Sequence, residues 1–184
     1  MPSLVGSEMC IRDSGYPGYG GIFVESFFGF SKNPPPGIQP HPGASGNFDL
    51  IFNPLRPETG VPATRTEIER FAPILANQTC LRPGLDRQNE VNCAIIVLSN
   101  LIGSTMAHEI AHSLGLADPE GTLFHNPQSG SHHLMDAGGD RPFEERAMLL
   151  DGYGEYFCSE NFEYLREILP TNLPDTLPNR TPCY

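Results

Sequence analysis

Residues 105–118 read Thr105-Met106-Ala107-His108-Glu109-Ile110-Ala111-His112-Ser113-Leu114-Gly115-Leu116-Ala117-Asp118, and the rest of the chain is organised around them. On a helix, His108 and His112 stand four residues apart on one face. Two imidazoles so placed can hold one Zn²⁺ through ring nitrogens. Glu109 beside them can take a proton from water that the metal has made acidic. Gly115 lets the backbone leave the helix through the left-handed region, which only glycine enters cheaply. That bend returns Asp118 as a third ligand. Three protein ligands keep a fourth position for water, which is the catalytic rather than the structural arrangement. The plain alternative is an amphipathic helix with satisfied histidines. From ordinary residue frequencies, a His-Glu-x-x-His match in a chain this long arises by chance roughly once in a few hundred, and Gly115 and Asp118 lower that about a hundredfold.

Working upstream, Val91, Ala94, Ile95, Leu98, Leu101 and Ile102 repeat at three and four, and Thr105, His108 and His112 continue the stripe. One long helix over about residues 89–115 is expected to run into the metal site. The alternative breaks it near Ser99–Gly103 and makes Cys93 to Leu98 a buried strand. Downstream lie three more histidines. His125 is the rival to Asp118 as third ligand, while His132 and His133 are expected to face substrate or solvent.

The pattern His108-Glu109-x-x-His112-x-x-Gly115-x-x-Asp118 resembles the metzincin metallopeptidases, in the variant with a snapalysin-like aspartate as third ligand. A methionine follows in His133-Leu134-Met135-Asp136. The resemblance, which covers about residues 100–137, implies that Met135 lies beneath the zinc and supports the histidines without binding metal. It also implies an α+β zincin domain: a small sheet packed on a long active-site helix, with a C-terminal helix below the metal. The implied activity is zinc-dependent hydrolysis of peptide bonds, with Glu109 as general base, His108, His112 and Asp118 as metal ligands and Zn²⁺ as cofactor.

Residues 4–14 (LVGSEMCIRDS) read as a translated transposon-end adapter from sequencing libraries, so 1–14 is set aside as non-native and the true amino terminus is expected to be missing. This removes Glu8, Arg12, Asp13 and Cys10, a net −1, which moves the formal charge from −11 to −10 and the cysteines from five to four. About 170 residues remain, enough for one core. We expect a catalytic domain over 15–170 and a proline-rich tail or linker over 171–184.

Gly21–Phe30 (GIFVESFFGF) and Phe48–Phe52 (FDLIF) have the aromatic and β-branched content of strands, separated by a proline-rich loop in which His41 is taken as an exposed side chain. Thr66-x-x-Glu69 is a capping box opening a helix that Pro73 should break or kink. Asp136, Asp140, Glu144 and Glu145 cluster around Met135, without the alternating spacing of a calcium loop. Asp140 is expected to cap a helix through about Leu150, with Arg141 and Arg146 free to pair with neighbouring carboxylates. Ser159 and Glu160 start a last helix with Phe162, Leu165 and Leu169 on one face. Tyr153 and Tyr156 are available near the site without an assigned role.

Cys80, Cys93, Cys158 and Cys183 lack metal-site spacing, and their even number suggests disulfides, Cys80–Cys93 and Cys158–Cys183 being the sequence-local pairing among three. That points to a secreted or cell-surface protein. The acidic balance, with no basic patch, argues against nucleic acid and anionic membranes as partners. No apolar run is expected to reach membrane-spanning length. The expected partner is a protein or peptide substrate, bound by a monomer. Two other classes remain open: a zinc hydrolase of a non-peptide amide, and a catalytically silent zinc-stabilised module of a larger surface protein.

Overall fold

In the computed structural model the described residues are 22, 24–116, 125–126, 132–138, 141–150, 155–169 and 181–183. Asp118, Asp140, Tyr153, the adapter-like segment and most of the proline-rich tail lie outside them.

The chain's longest element is helix α4, Arg87–Ser113. Asp86 caps it by accepting the Asn89 N–H at 3.0 Å, which satisfies one of the orphan donors at a helix start. Its inner seam runs Val91, Ala94, Val97, Leu101, Thr105, His108 and Ala111, all buried. The long unbroken helix is therefore observed two residues early at each end, and the Cys93–Leu98 strand is not. Before it come α1 (Gly46–Phe52), α2 (Arg65–Glu69) and α3 (Ala76–Thr79). After it come α5 (Phe143–Arg146) and α6 (Ser159–Ile168).

The expected α+β architecture is corrected: among the described residues there is no strand or sheet, only an isolated parallel bridge between His133 and Tyr156. Both strand expectations fall on helical segments. Val24–Phe30 forms a 3₁₀ helix, whose three-residue turn puts Phe27 and Phe30 on the same buried side. Phe48 and Ile51 do the same on α1, where the Ser45 hydroxyl accepts the Asn47 N–H at 3.1 Å. Short apolar runs do not distinguish strand from buried helix, and here the cap residue decides. The capping box also moves, from Thr66/Glu69 to Thr64/Glu67; the two overlap and carry the same Thr-x-x-Glu pattern. The Thr64 N–H, the Thr64 hydroxyl and then Arg87 hold the Glu67 carboxyl down to about 2.

One apolar core packs the first half of α4 (Cys93, Ala94, Val97, Leu101) against Phe27, Phe30, Phe48, Ile51 and Phe143. The disulfide Cys80–Cys93 ties the end of α3 to α4 with 5.4 Å between Cα atoms. A smaller cluster sits at the far end: Ala111, Leu116, Met135 and Leu165. His41, taken as an exposed loop histidine, is buried instead, its ring 5.4 Å from that of Phe30.

Another expectation is corrected on α4 itself. An 18-residue window of the helix has a mean hydropathy of 1.4, so by length and composition it could cross a membrane. A third of that window is buried inside the protein (33%), and Met106 and Ile110 lie exposed on the helix face opposite His108.

Candidate metal centre

The last turn of α4 closes with the backbone pattern that glycine permits. Gly115, at φ +92°, donates its N–H to His112 O, and Leu116 donates to Ala111 O at 3.0 Å. These paired bonds form a Schellman motif, with Leu116 packing back on Ala111. A Cβ at Gly115 would lie 2.7 Å from the Tyr164 hydroxyl, which itself donates to Leu114 O at 3.0 Å. A side chain at 115 would thus displace the Tyr164 hydroxyl from Leu114 O, in addition to straining the positive φ.

This bend brings Leu116 O within 3.1 Å of His112 Nδ1. From the other side, Leu134 O lies 2.6 Å from His108 Nδ1. A carbonyl can only accept, so both Nδ1 atoms carry the proton and donate. In neutral imidazoles the Nε2 atoms then carry a lone pair and no proton, and the two Nε2 atoms face each other 3.1 Å apart. Two lone pairs so placed repel unless a cation lies between them. Tetrahedral zinc with Zn–N bonds of 2.0–2.1 Å sets its ligand nitrogens about 3.3 Å apart, and its histidines characteristically donate the other N–H to a carbonyl or carboxylate. The donor set therefore fits zinc.

His125 joins them. Its ring stacks on that of His108 (centroids 5.3 Å apart, planes at 16°) and meets His112 edge-on at 5.2 Å. One ligand atom from each of His108, His112 and His125 lies within 4.8 Å of the others. Asn126 places this histidine: its N–H donates to Met135 O at 2.9 Å, and its side-chain amide donates to Asp136 Oδ1 at 3.0 Å. Of the two candidates for third ligand, the described geometry brings His125 to the pair; Asp118 is not among the described residues.

Met135 is buried against Ala111, Leu116 and Leu165. It sits in a tight turn in which the Asp136 N–H donates to His133 O and Asp136 Oδ2 accepts the His133 N–H. The same turn offers the Leu134 carbonyl to His108, so one short segment supplies both a buried methionine packed on the end of α4 and the orienting acceptor. Glu109, half-buried with Oε1 shielded from solvent, follows His108 around the helix.

Burial, then Arg141, pushes the His108 pKa down to about 2, with the Leu134 bond opposing. A neutral imidazole is the form that binds metal.

His133 is corrected from a substrate- or solvent-facing residue to a brace. It is fully buried, and its Nε2 lies 2.7 Å from Thr181 Oγ1. His132 bonds Glu145 Oε2 at 2.7 Å, where burial raises the Glu145 carboxyl above its ordinary range. Within the acidic cluster, Asp136 and Glu145 thus bond to protein groups, as does Glu144, which accepts from Ser45 and Asn47. Tyr156 engages Thr181 rather than the histidine cluster. The second disulfide, Cys158–Cys183 (Cα–Cα 5.1 Å), holds Thr181 in place. The two bridges are compatible with an oxidising, extracellular setting.

Sequence reasoning missed Asn126, Ser104 and Glu155. The latter two form a buried cluster with Arg141, in which Arg141 Nε donates to Glu155 at 2.9 Å. No local pattern announces them, because their partners lie 14 to 51 residues away. Comparison with protein families, curated proteins and solved structures returned no match to this chain.

Proposed function

We propose that the chain is a secreted zinc-dependent endopeptidase of metzincin type, with His108 and His112 as metal ligands and Glu109 as general base. The supporting observation is the pair of Nε2 atoms 3.1 Å apart, with each imidazole's Nδ1 set against a main-chain carbonyl. Bound there, zinc would supply Lewis acidity toward a peptide carbonyl and lower the pKa of water. The chain's own residues do the rest. His108, held neutral by burial, and His112 are both oriented by main-chain carbonyls. Glu109 accepts the proton of the attacking water and passes it to the leaving amide nitrogen. Met135 keeps the floor apolar beneath the histidines. The Met135 turn, and Leu165 of α6 packed on it, are the features that favour the metzincin likeness, although the described residues contain no sheet.

The third ligand decides between this reading and a second one. His125 alone with the pair leaves a coordination position open. His125 and Asp118 together would make four protein ligands, the closed set of a structural site, and the chain a zinc-stabilised module.

The test combines metal analysis with a casein-type assay, with and without chelator. Glu109→Gln should keep stoichiometric zinc and lose activity by about 10²–10⁴-fold, the range for a general base. A metal-loaded, fully active variant refutes the assignment. Comparing His125→Ala with Asp118→Ala ranks the third ligand: the true ligand's loss weakens zinc binding the more, and equal large losses favour the closed structural site.

A further inference from the structure

We infer that the buried Arg141–Glu155–Ser104 cluster is a positioning device for His108, an inference that rests on the metal reading above. Ser104 lies on α4 four residues before His108 and so on the same helix face, one turn toward the N-terminus. Arg141 donates to Ser104 Oγ and, through Nε and a terminal nitrogen, to Glu155 Oε1; Ser104 in turn donates to Glu155 Oε2. Arg141 and Glu155 are both nearly inaccessible to solvent, with side chains 1% and 6% exposed. The charges cancel within a ring of hydrogen bonds, the condition under which a buried pair holds a geometry.

The neighbouring residue extends this ring to the site. Tyr156 O accepts the Leu134 N–H at 2.8 Å, and Leu134 O accepts from His108 Nδ1 at 2.6 Å. A closed circuit therefore leaves α4 at Ser104, passes through Glu155, Tyr156 and Leu134, and returns to α4 at His108. The Leu134 peptide is held at both ends, by Tyr156 on its nitrogen side and by His108 on its oxygen. Anchoring Glu155 to α4 fixes where Tyr156 stands, and thus where the carbonyl that orients His108 must lie. Arg141 and Glu155 act through other residues and are positioning residues, not catalytic ones.

The test uses the full chain with its disulfides intact and cobalt(II) as the probe metal, read by affinity and by the visible absorption of the bound ion. Glu155→Gln should weaken cobalt binding by about 10-fold, the low end of the range for a direct outer-shell partner because Glu155 acts through Tyr156 and Leu134, and alter the visible bands. Glu67→Gln removes one of the two carboxylate partners of Arg87 at the opposite end of α4; it should leave affinity and spectrum as in wild type. If Glu155→Gln does not fold by circular dichroism, Ser104→Ala takes its place, and Ser104→Thr should restore what the alanine loses. Wild-type affinity and spectrum in both Glu155→Gln and Ser104→Ala overturn the inference, as does an equal loss in Glu67→Gln. Wild-type protein that takes up no cobalt overturns the metal reading itself, and this inference with it.

Discussion

The two halves of α4 are one continuous helix whose buried seams differ in what they demand of their neighbours. Its first half, to Leu101, has an inner seam of apolar side chains and a disulfide, with Val97 and Leu101 fully inaccessible and polar bonds from Arg87, Gln88, Asn92 and Asn100 beside it. Its second half buries Thr105 and His108 and is fastened by directed polar bonds: the Schellman bend, the carbonyls on His108 and His112, and the Arg141 cluster. Apolar packing is non-directional and tolerates repacking, whereas buried polar groups demand specific partners. A helix that changes from the first mode to the second along its length marks where geometry, rather than stability alone, is being held.

Exchanging damage between the halves tests that contrast most severely. Leu101→Ala should cost about 2–5 kcal/mol in chemical unfolding while zinc stoichiometry stays unchanged. His112→Ala should do the reverse. Sharing about 10–16 kcal/mol of structural zinc binding among four ligands puts one at about 3 kcal/mol, or on the order of a hundredfold in affinity. A Leu101→Ala protein that loses metal at unchanged stability would abolish the distinction.

Between pH 6.5 and about 4.5, above the range in which Glu67 at the start of α4 titrates, acid should act on the second half through His108. Because burial holds His108 far below its usual 6.5, the unfolded chain binds more protons there between about 2 and 6.5. The contribution is intact above pH 6.5 and is lost as pH falls toward 2. In chelator, stability should fall by about 1.4 kcal/mol per pH unit below 6.5 from this group. Glu145, raised by burial, contributes in the opposite sense, its stabilisation being lost as pH rises. The His108 part is therefore read as the difference from His108→Gln in urea titrations at pH 7 and 5.5; parallel curves for the two proteins would remove it.

The smallest effect sharpens the comparison at the bend. Tyr164→Phe deletes the donor to Leu114 O from a partly exposed residue and should cost about 0.5–1 kcal/mol. Amide exchange should quicken in the last turn of α4 and not near Leu101; uniform quickening would show that the halves are not separable.

What could be read directly was local. The 3.6-residue stripe made α4, the four-residue spacing aligned His108 with His112, and Gly115 ended the helix, because each depends only on backbone periodicity and the absence of one Cβ. The sequence-local cysteine pairing also appears in the structure. The strand expectations failed at Val24–Phe30 and Phe48–Phe52, since aromatic runs of that length suit either a pleated face or one side of a short helix, and packing against α4 chose the helix. His125, Asn126 and the Arg141 cluster were beyond sequence reasoning for a different reason. Their roles depend on separate segments meeting, and a hydrogen bond between residues 10 to 51 positions apart leaves no period in the chain. The amino-acid order alone determined which helix carries the histidines and where it stops; only the folded chain decided which carbonyls aim them and which third imidazole stands beside them.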